Sequence, residues 1–187
     1  MSTTKAAFIG LGNMGYPMAG HLANADFDVT VYNRTPAKAE AWVKEHGGGS
    51  AVTPAEAATG ADIIMTCVGN DNDLRAIMLG EDGVIKGAGK GSLIIDHTTA
   101  SAIAAREIGE AAANKGVGFL DAPVSGGQEG AQKGALTVMV GGSAADFVRG
   151  ETAMQSFAKA VVHMGDAGCG QLTKMVNQIA CACSIQA

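Results

Sequence analysis

The chain has 187 residues, enough for one large domain with a little to spare, and at 47% apolar and 17% charged it can bury a core, which excludes a disordered tail. Its 27 glycines follow no collagen period and form no linker block. Thirteen basic against 18 acidic residues give a net charge of −5 without a basic stripe, which argues against a nucleic-acid partner.

The N-terminal MSTTK leads straight into an apolar run, with no signal-peptide pattern, and no apolar stretch long enough to span a bilayer follows; a soluble, cytoplasmic protein is expected. Short apolar runs at residues 6–9, 29–32, 63–68, 93–95, 118–120, 136–140 and 160–164 alternate with helix-period segments. That alternation predicts an α/β protein, a mostly parallel, doubly wound sheet with helices on both faces. Met14, Met18 and Leu22 recur at helical spacing between the first two runs, with Ala19 and Gly20 small enough for close packing on the sheet. Thr53 before Pro54 predicts a helix start, and Ser143 with Asp146 predicts another, as a capping box with Asp in place of Glu. From Gly168 onward the sequence is helix-like and apolar and carries no stop signal. Residues 1–165 are therefore read as one domain and 166–187 as the start of a further helical element.

The first run leads into Gly10-Leu11-Gly12-Asn13-Met14-Gly15, G-x-G-x-x-G between a predicted strand and a predicted helix. In that context the glycines allow a tight turn, backbone approach to a pyrophosphate and helix–strand closure, so a Rossmann-type dinucleotide site is expected. The second strand ends in Asn33-Arg34-Thr35, where an NAD-binding domain usually carries Asp or Glu. Arg34 can pair with a 2′-phosphate and stack on adenine, and Asn33 and Thr35 add neutral donors, so NADP is expected over NAD; the alternative for Arg34 is a solvated loop charge. The segment 87–92 lacks a P-loop ending and is read as a βα-type turn. His21, His46, His97 and His163 form no ligand pair, and Cys67, Cys169, Cys181 and Cys183 are read as ordinary thiols, so no metal site is expected.

Two further places can carry chemistry. Ser125-Gly126-Gly127 can grip a carboxylate through a hydroxyl and successive amides, or be a Gly-rich hairpin with a capping serine. Lys174, Asn177 and Gln178 share one side of the C-terminal helix, and the flanking Leu172, Met175, Val176 and Ile179 make the lysine easier to deprotonate. It is a general acid toward a carbonyl, or a snorkelling surface lysine.

With GLGNMGYPM at 10–18, DHTTAS at 96–101, DAPVSGGQEGAQKGALTVMVGG at 121–142 and GQLTKMVNQ at 170–178, the chain resembles the β-hydroxyacid dehydrogenases over nearly its whole length. That family includes 3-hydroxyisobutyrate dehydrogenases, tartronate semialdehyde reductases and glyoxylate/succinic semialdehyde reductases. The resemblance implies a catalytic lysine at Lys174 with Asn177 as its helper, and Gln178 in a weaker role where some members have a second Asn. It implies Ser125, Gly126 and Gly127 for the substrate carboxylate, Thr99 beside nicotinamide and substrate, and Val68-Gly69-Asn70 beneath the cofactor. The implied reaction moves a hydride between NADP(H) and a small 3-hydroxy acid or its semialdehyde, with Lys174 protonating the nascent alkoxide. Family members continue into an all-helical domain, so the chain is expected to be a cofactor domain ending inside the interdomain helix, with residues 172–185 exposed and driving homo-oligomerisation. The alternatives are a cofactor-binding module without catalysis and an imine reductase on the same fold, which Lys174 argues against.

Overall fold

The computed structural model describes residues 3–186. In chain order β1 (Lys5–Ile9), α1 (Gly15–Asn24), β2 (Asp28–Tyr32), α2 (Pro36–His46), the two-residue β3 (Gly49–Ser50), α3 (Pro54–Ala58) and β4 (Ile63–Thr66) come first. Next are α4 (Asp71–Leu79), α5 (Val84–Gly87), β5 (Leu93–Asp96), α6 (Ala102–Ala113) and β6 (Gly118–Asp121). The chain continues through β7 (Val124–Ser125), α7 (Gly127–Gln132), β8 (Leu136–Gly142), α8 (Ala144–Gln155), β9 (Ala158–Gly165) and α9 (Cys169–Gln186); Ala187, in the expected terminal segment, lies outside the described residues.

The strands lie in the order β3-β2-β1-β4-β5-β6, all parallel, which is a Rossmann arrangement. β8 runs antiparallel to β6 and to β7, and β9 pairs parallel to β8. The chain winds outward from β1 to β2 on one side and to β4 on the other, which opens a crevice beyond the ends of β1 and β4.

β1, β4, β5 and β6 each serve two cores because side chains alternate with period two. Ala6 and Phe8 of β1 join Met18, Leu22, Trp42, Met65 and Ile95 on one face, while Ala7 and Ile9 join Ile64, Leu74, Met78, Ile94 and Ile108 on the other. That double burial is why these strands read as continuous apolar runs.

Helix starts follow local chemistry. Thr53 accepts the Glu56 N–H and Pro54 follows at the first helical position. Ser143 accepts the Asp146 N–H, but the Asp146 carboxylate accepts a hydrogen bond from the Ser143 hydroxyl instead of from the Ser143 N–H, so only half of a capping box forms. Two expectations change. Gly20 faces the His46 ring of α2, where a Cβ would collide, and so closes α1 on α2 instead of on the sheet. Residues 88–92 lead from α5 into β5, a helix-to-strand connection and not a βα turn.

Candidate active site

The crevice is shaped by glycines. Gly10 has φ +100°, and a Cβ there would strike the Cys67 carbonyl; at Gly15 it would strike the Gly10 carbonyl and the Phe8 ring. The turn, α1 and β4 thus approach at a distance that only glycine allows. At Gly12 nothing lies within 4 Å of a Cβ position, so this part of the turn is open to a ligand. No side chain caps α1 and no acid stands in its first turn, so its positive dipole end faces the opening, although the Tyr16 N–H is taken by the Gly12 carbonyl and Pro17 has none.

A cleft of about 640 Å³ runs from this turn, lined by Gly10, Gly12, Asn13, Met14, Gly15, Asn33, Arg34, Thr35, Val68 and Gly69. Tyr32, Lys38, Cys67 and Asp73 complete much of the wall. A glycine cradle, an uncapped helix end and a guanidinium fit a dinucleotide phosphate. Asn33 braces the turn: its carbonyl accepts the Leu11 N–H at 2.9 Å and its amide donates to the Thr35 carbonyl at 3.1 Å. Burial pushes the Cys67 thiol up to about 12, with the Asp96 charge adding to the effect, so it stays protonated and inert.

Three expected cofactor residues stand elsewhere. Leu11 is 1% exposed and lines a neighbouring cavity of about 650 Å³ between α1 and α2, because the turn directs its side chain inward. Asn70 is not on the cleft wall; its carbonyl caps α4 by accepting the Asn72 and Asp73 N–H groups. Thr99 is exposed, whereas its neighbour Thr98 is buried and accepts the Val68 N–H at 3.1 Å.

A second cluster aims α9. Asp121, at the end of β6, accepts the Gly168 N–H at 2.6 Å and the Gln171 N–H at 2.9 Å. Buried Gln171 donates to the Thr98 carbonyl at 2.7 Å and accepts the Ala100 N–H at 3.0 Å. Gly141 and Gly170 let the helix start sit this close, since a Cβ on either would meet Asp121. A continuous path of bonds therefore joins α9 through Gln171 and Thr98 to Val68 on the cleft.

Two carboxylates stand side by side beneath that path, Asp96 opposite Asp121. Burial pushes Asp96 up to about 7 against the bonds from Thr98 and Thr66, and its Oδ2 has no partner among the described residues. Burial also raises Asp121, against its backbone N–H bonds. His97 is driven down to about 4 by burial, with Nδ1 on the Ala122 carbonyl at 2.8 Å. It is neutral, carrying its proton on that nitrogen.

One helical turn beyond Gln171, Lys174 is half-buried, and that burial lowers its pKa, partly opposed by Cys181. The flanking Leu172, Met175, Val176 and Ile179 are 44–67% exposed, so the helix's own apolar neighbours do not supply the burial. Asn177 donates to the Ser125 hydroxyl oxygen at 3.3 Å, which leaves the hydroxyl proton free to donate. Ser125 ends β7 opposite Thr137, and Gly126 and Gly127 turn with φ +132° and +62° into α7. Ser125 caps no helix, so the hairpin-with-capping-serine alternative does not describe it. Gln178 is exposed. Neither cavity described above includes Ser125, Lys174 or Asn177.

Thr98, Asp121 and Gln171 went unassigned by sequence reasoning, although each lies inside a quoted motif; a polar residue ending a buried strand, as Asp121 does, is the signal that was available. Asp73 had no such signal. Among the described residues no group of three or more His, Cys, Asp or Glu side chains can hold a metal ion.

An uncharacterized oxidoreductase of Shewanella frigidimarina is 55% identical over 182 residues, 97% of this chain and 62% of that protein. The 3-hydroxyisobutyrate dehydrogenase of Pseudomonas aeruginosa is 38% identical over 94% of this chain and 59% of its own length. The structure of Mycobacterium tuberculosis 3-hydroxyisobutyrate dehydrogenase with L-serine superposes with a TM-score of 0.90 at 34% identity, covering 97% of this chain and 61% of that one. An imine reductase from Myxococcus stipitatus, at 24% identity and TM-score 0.87, shares the fold; it covers 99% of this chain and 62% of its own. The chain thus spans about three fifths of the length of the relatives it matches. Residues 5–165 match the model of the NAD binding domain of 6-phosphogluconate dehydrogenase, and the chain belongs to that family, with oxidoreductases named 3-hydroxyisobutyrate dehydrogenase among its relatives.

Proposed function

We propose that the protein is an oxidoreductase acting on a small 3-hydroxy acid or its semialdehyde, with NADP(H) preferred over NAD(H). The observation that carries this reading is the meeting of Ser125 and Asn177 at 3.3 Å, one helical turn from a lysine whose pKa burial lowers. When bound in the cleft, the nicotinamide dinucleotide supplies or accepts the hydride. The protein's own groups do the rest. The Ser125 hydroxyl and the Gly126 and Gly127 amides take the substrate carboxylate. Lys174 delivers a proton to the carbonyl oxygen during reduction and removes it in the reverse direction, a role favoured by a depressed pKa. Asn177 holds Ser125 and orients the group beside Lys174.

We assign the pyrophosphate to Gly10, Gly12 and the start of α1, and a 2′-phosphate to Arg34 with Thr35. Residues 1–165 are the cofactor domain in this reading, and 166–187 begin an interdomain helix. The exposed Leu172, Met175, Val176 and Ile179 favour a homo-oligomer formed through that helix, and a cytoplasmic enzyme fits the absence, among the described residues, of any helix able to cross a membrane. The test is fluorescence titration with NADPH and NADH, then addition of glyoxylate, succinic semialdehyde and tartronate semialdehyde. Tighter binding of NADPH followed by its oxidation is expected; no binding of either nucleotide would overturn the reading. Binding without turnover would mean a cofactor domain that needs a helical partner to complete the substrate pocket.

A further inference from the structure

We propose that Asp73 is a specificity-determining residue of the cofactor cleft, holding Arg34 in competition with a 2′-phosphate and so narrowing the preference for NADP over NAD. The inference rests on the dinucleotide reading above.

Arg34 and Asp73 face each other across the cleft from the end of β2 and the first turn of α4, with Nη1 3.5 Å from Oδ1. The two partners differ in freedom. The Arg34 side chain is 89% exposed and free to swing, while that of Asp73 is 37% exposed and fixed. Asn70 donates to Asp73 Oδ2 at 3.1 Å and accepts the Asp73 N–H at 3.0 Å. Gly69 clears the space, since a Cβ there would lie 2.7 Å from Oδ2.

A fixed carboxylate opposite a mobile guanidinium makes a competitor for any anion the guanidinium binds. A 2′-phosphate must draw Arg34 off Asp73 and then share the cleft with that carboxylate; a ribose 2′-hydroxyl does neither and can donate to it. Asp73 thus does from α4 what an acid at the end of β2 does in NAD-binding domains. The wider wall points the same way. Arg34 and Lys38 are its cations, against Asp73, Glu81 and Asp82.

The test measures dissociation constants for NADPH and NADH on the wild-type chain, Asp73→Asn, Asp73→Ala and Arg34→Ala. Both Asp73 variants are expected to tighten NADPH by up to about fivefold, the scale of an exposed ion pair, with NADH moving less than twofold. The gain shrinks at high salt because the groups are solvent-exposed. An unchanged NADPH-to-NADH ratio in both variants, or equal gains for both nucleotides, would overturn the inference. Arg34→Ala separates it from its premise: if that change leaves the ratio untouched, the assignment of Arg34 to the 2′-phosphate fails, whatever the Asp73 variants do.

Discussion

Asp121→Ala removes the carboxylate that holds the start of α9 to the end of β6. Its two oxygens accept the buried Gly168 and Gln171 N–H groups at 2.6 and 2.9 Å, and without them both donors stay buried and unpaired. Hydrogen bonds to a charged acceptor contribute about 1.5–3 kcal/mol each, which puts the gross loss at about 3–6 kcal/mol. Part of that is offset, because the variant no longer buries a carboxylate beside Asp96. The expected net destabilisation is about 3 kcal/mol, a drop in melting temperature of roughly 6–12 °C for a chain of this size. Asp121→Asn keeps one acceptor but turns an amide N–H₂ toward the other N–H, and should lose about 2 kcal/mol. Urea titration followed by circular dichroism gives the free energies, and hydrogen exchange should show the amides of α9 opening first. A loss below about 0.5 kcal/mol for the Ala variant would refute the claim that Asp121 aims this helix.

Three other outcomes are expected. Lys174→Ala should reduce turnover by at least about 10²-fold while NADPH affinity stays within about twofold, measured by steady-state kinetics and fluorescence; near-normal turnover would remove the lysine from the mechanism. Gly15→Ala should abolish nucleotide binding or folding, since its methyl would overlap the Gly10 carbonyl, and calorimetry showing wild-type binding would contradict that packing. Between pH 4 and 7 two buried groups should oppose each other. Asp96, raised to about 7, stabilises at low pH and loses that contribution as pH rises; His97, lowered to about 4, stabilises above its ordinary 6.5 and loses it on acidification. Asp96→Asn should therefore lose about 3 kcal/mol more than the wild type between pH 6.5 and 4; matching urea profiles would contradict these signs.

The fold was legible where burial writes itself into contiguous residues. β1, β4, β5 and β6 appear as apolar runs because both their faces are covered, β2 alternates with one face buried, and Thr53 and Ser143 announce their helices through bonds made within one turn. β3 and β7 have two residues each, too few for any periodicity, and the reversed sense of β8 depends on partners and not on pattern. The same division holds at the site. The glycine turn and Arg34 lie in unbroken stretches of sequence. The pairing of Ser125 with Asn177 spans 52 residues and was foreseeable only through resemblance, and nothing in the chain order announces that Asp73 faces Arg34.

The neighbouring positions of Asp96 and Asp121 couple two margins of the molecule. One carboxylate holds the Thr98 backbone above the cleft, the other holds the root of α9, and the strands that carry them are paired at that register. A shift of β6 against β5 by one residue would pull the two apart. A foreign helix transplanted onto this sheet would keep that aim only if it brought its own glycine at 170 and N–H groups placed as those of Gly168 and Gln171, so the helix start and the ends of β6 and β8 are matched parts.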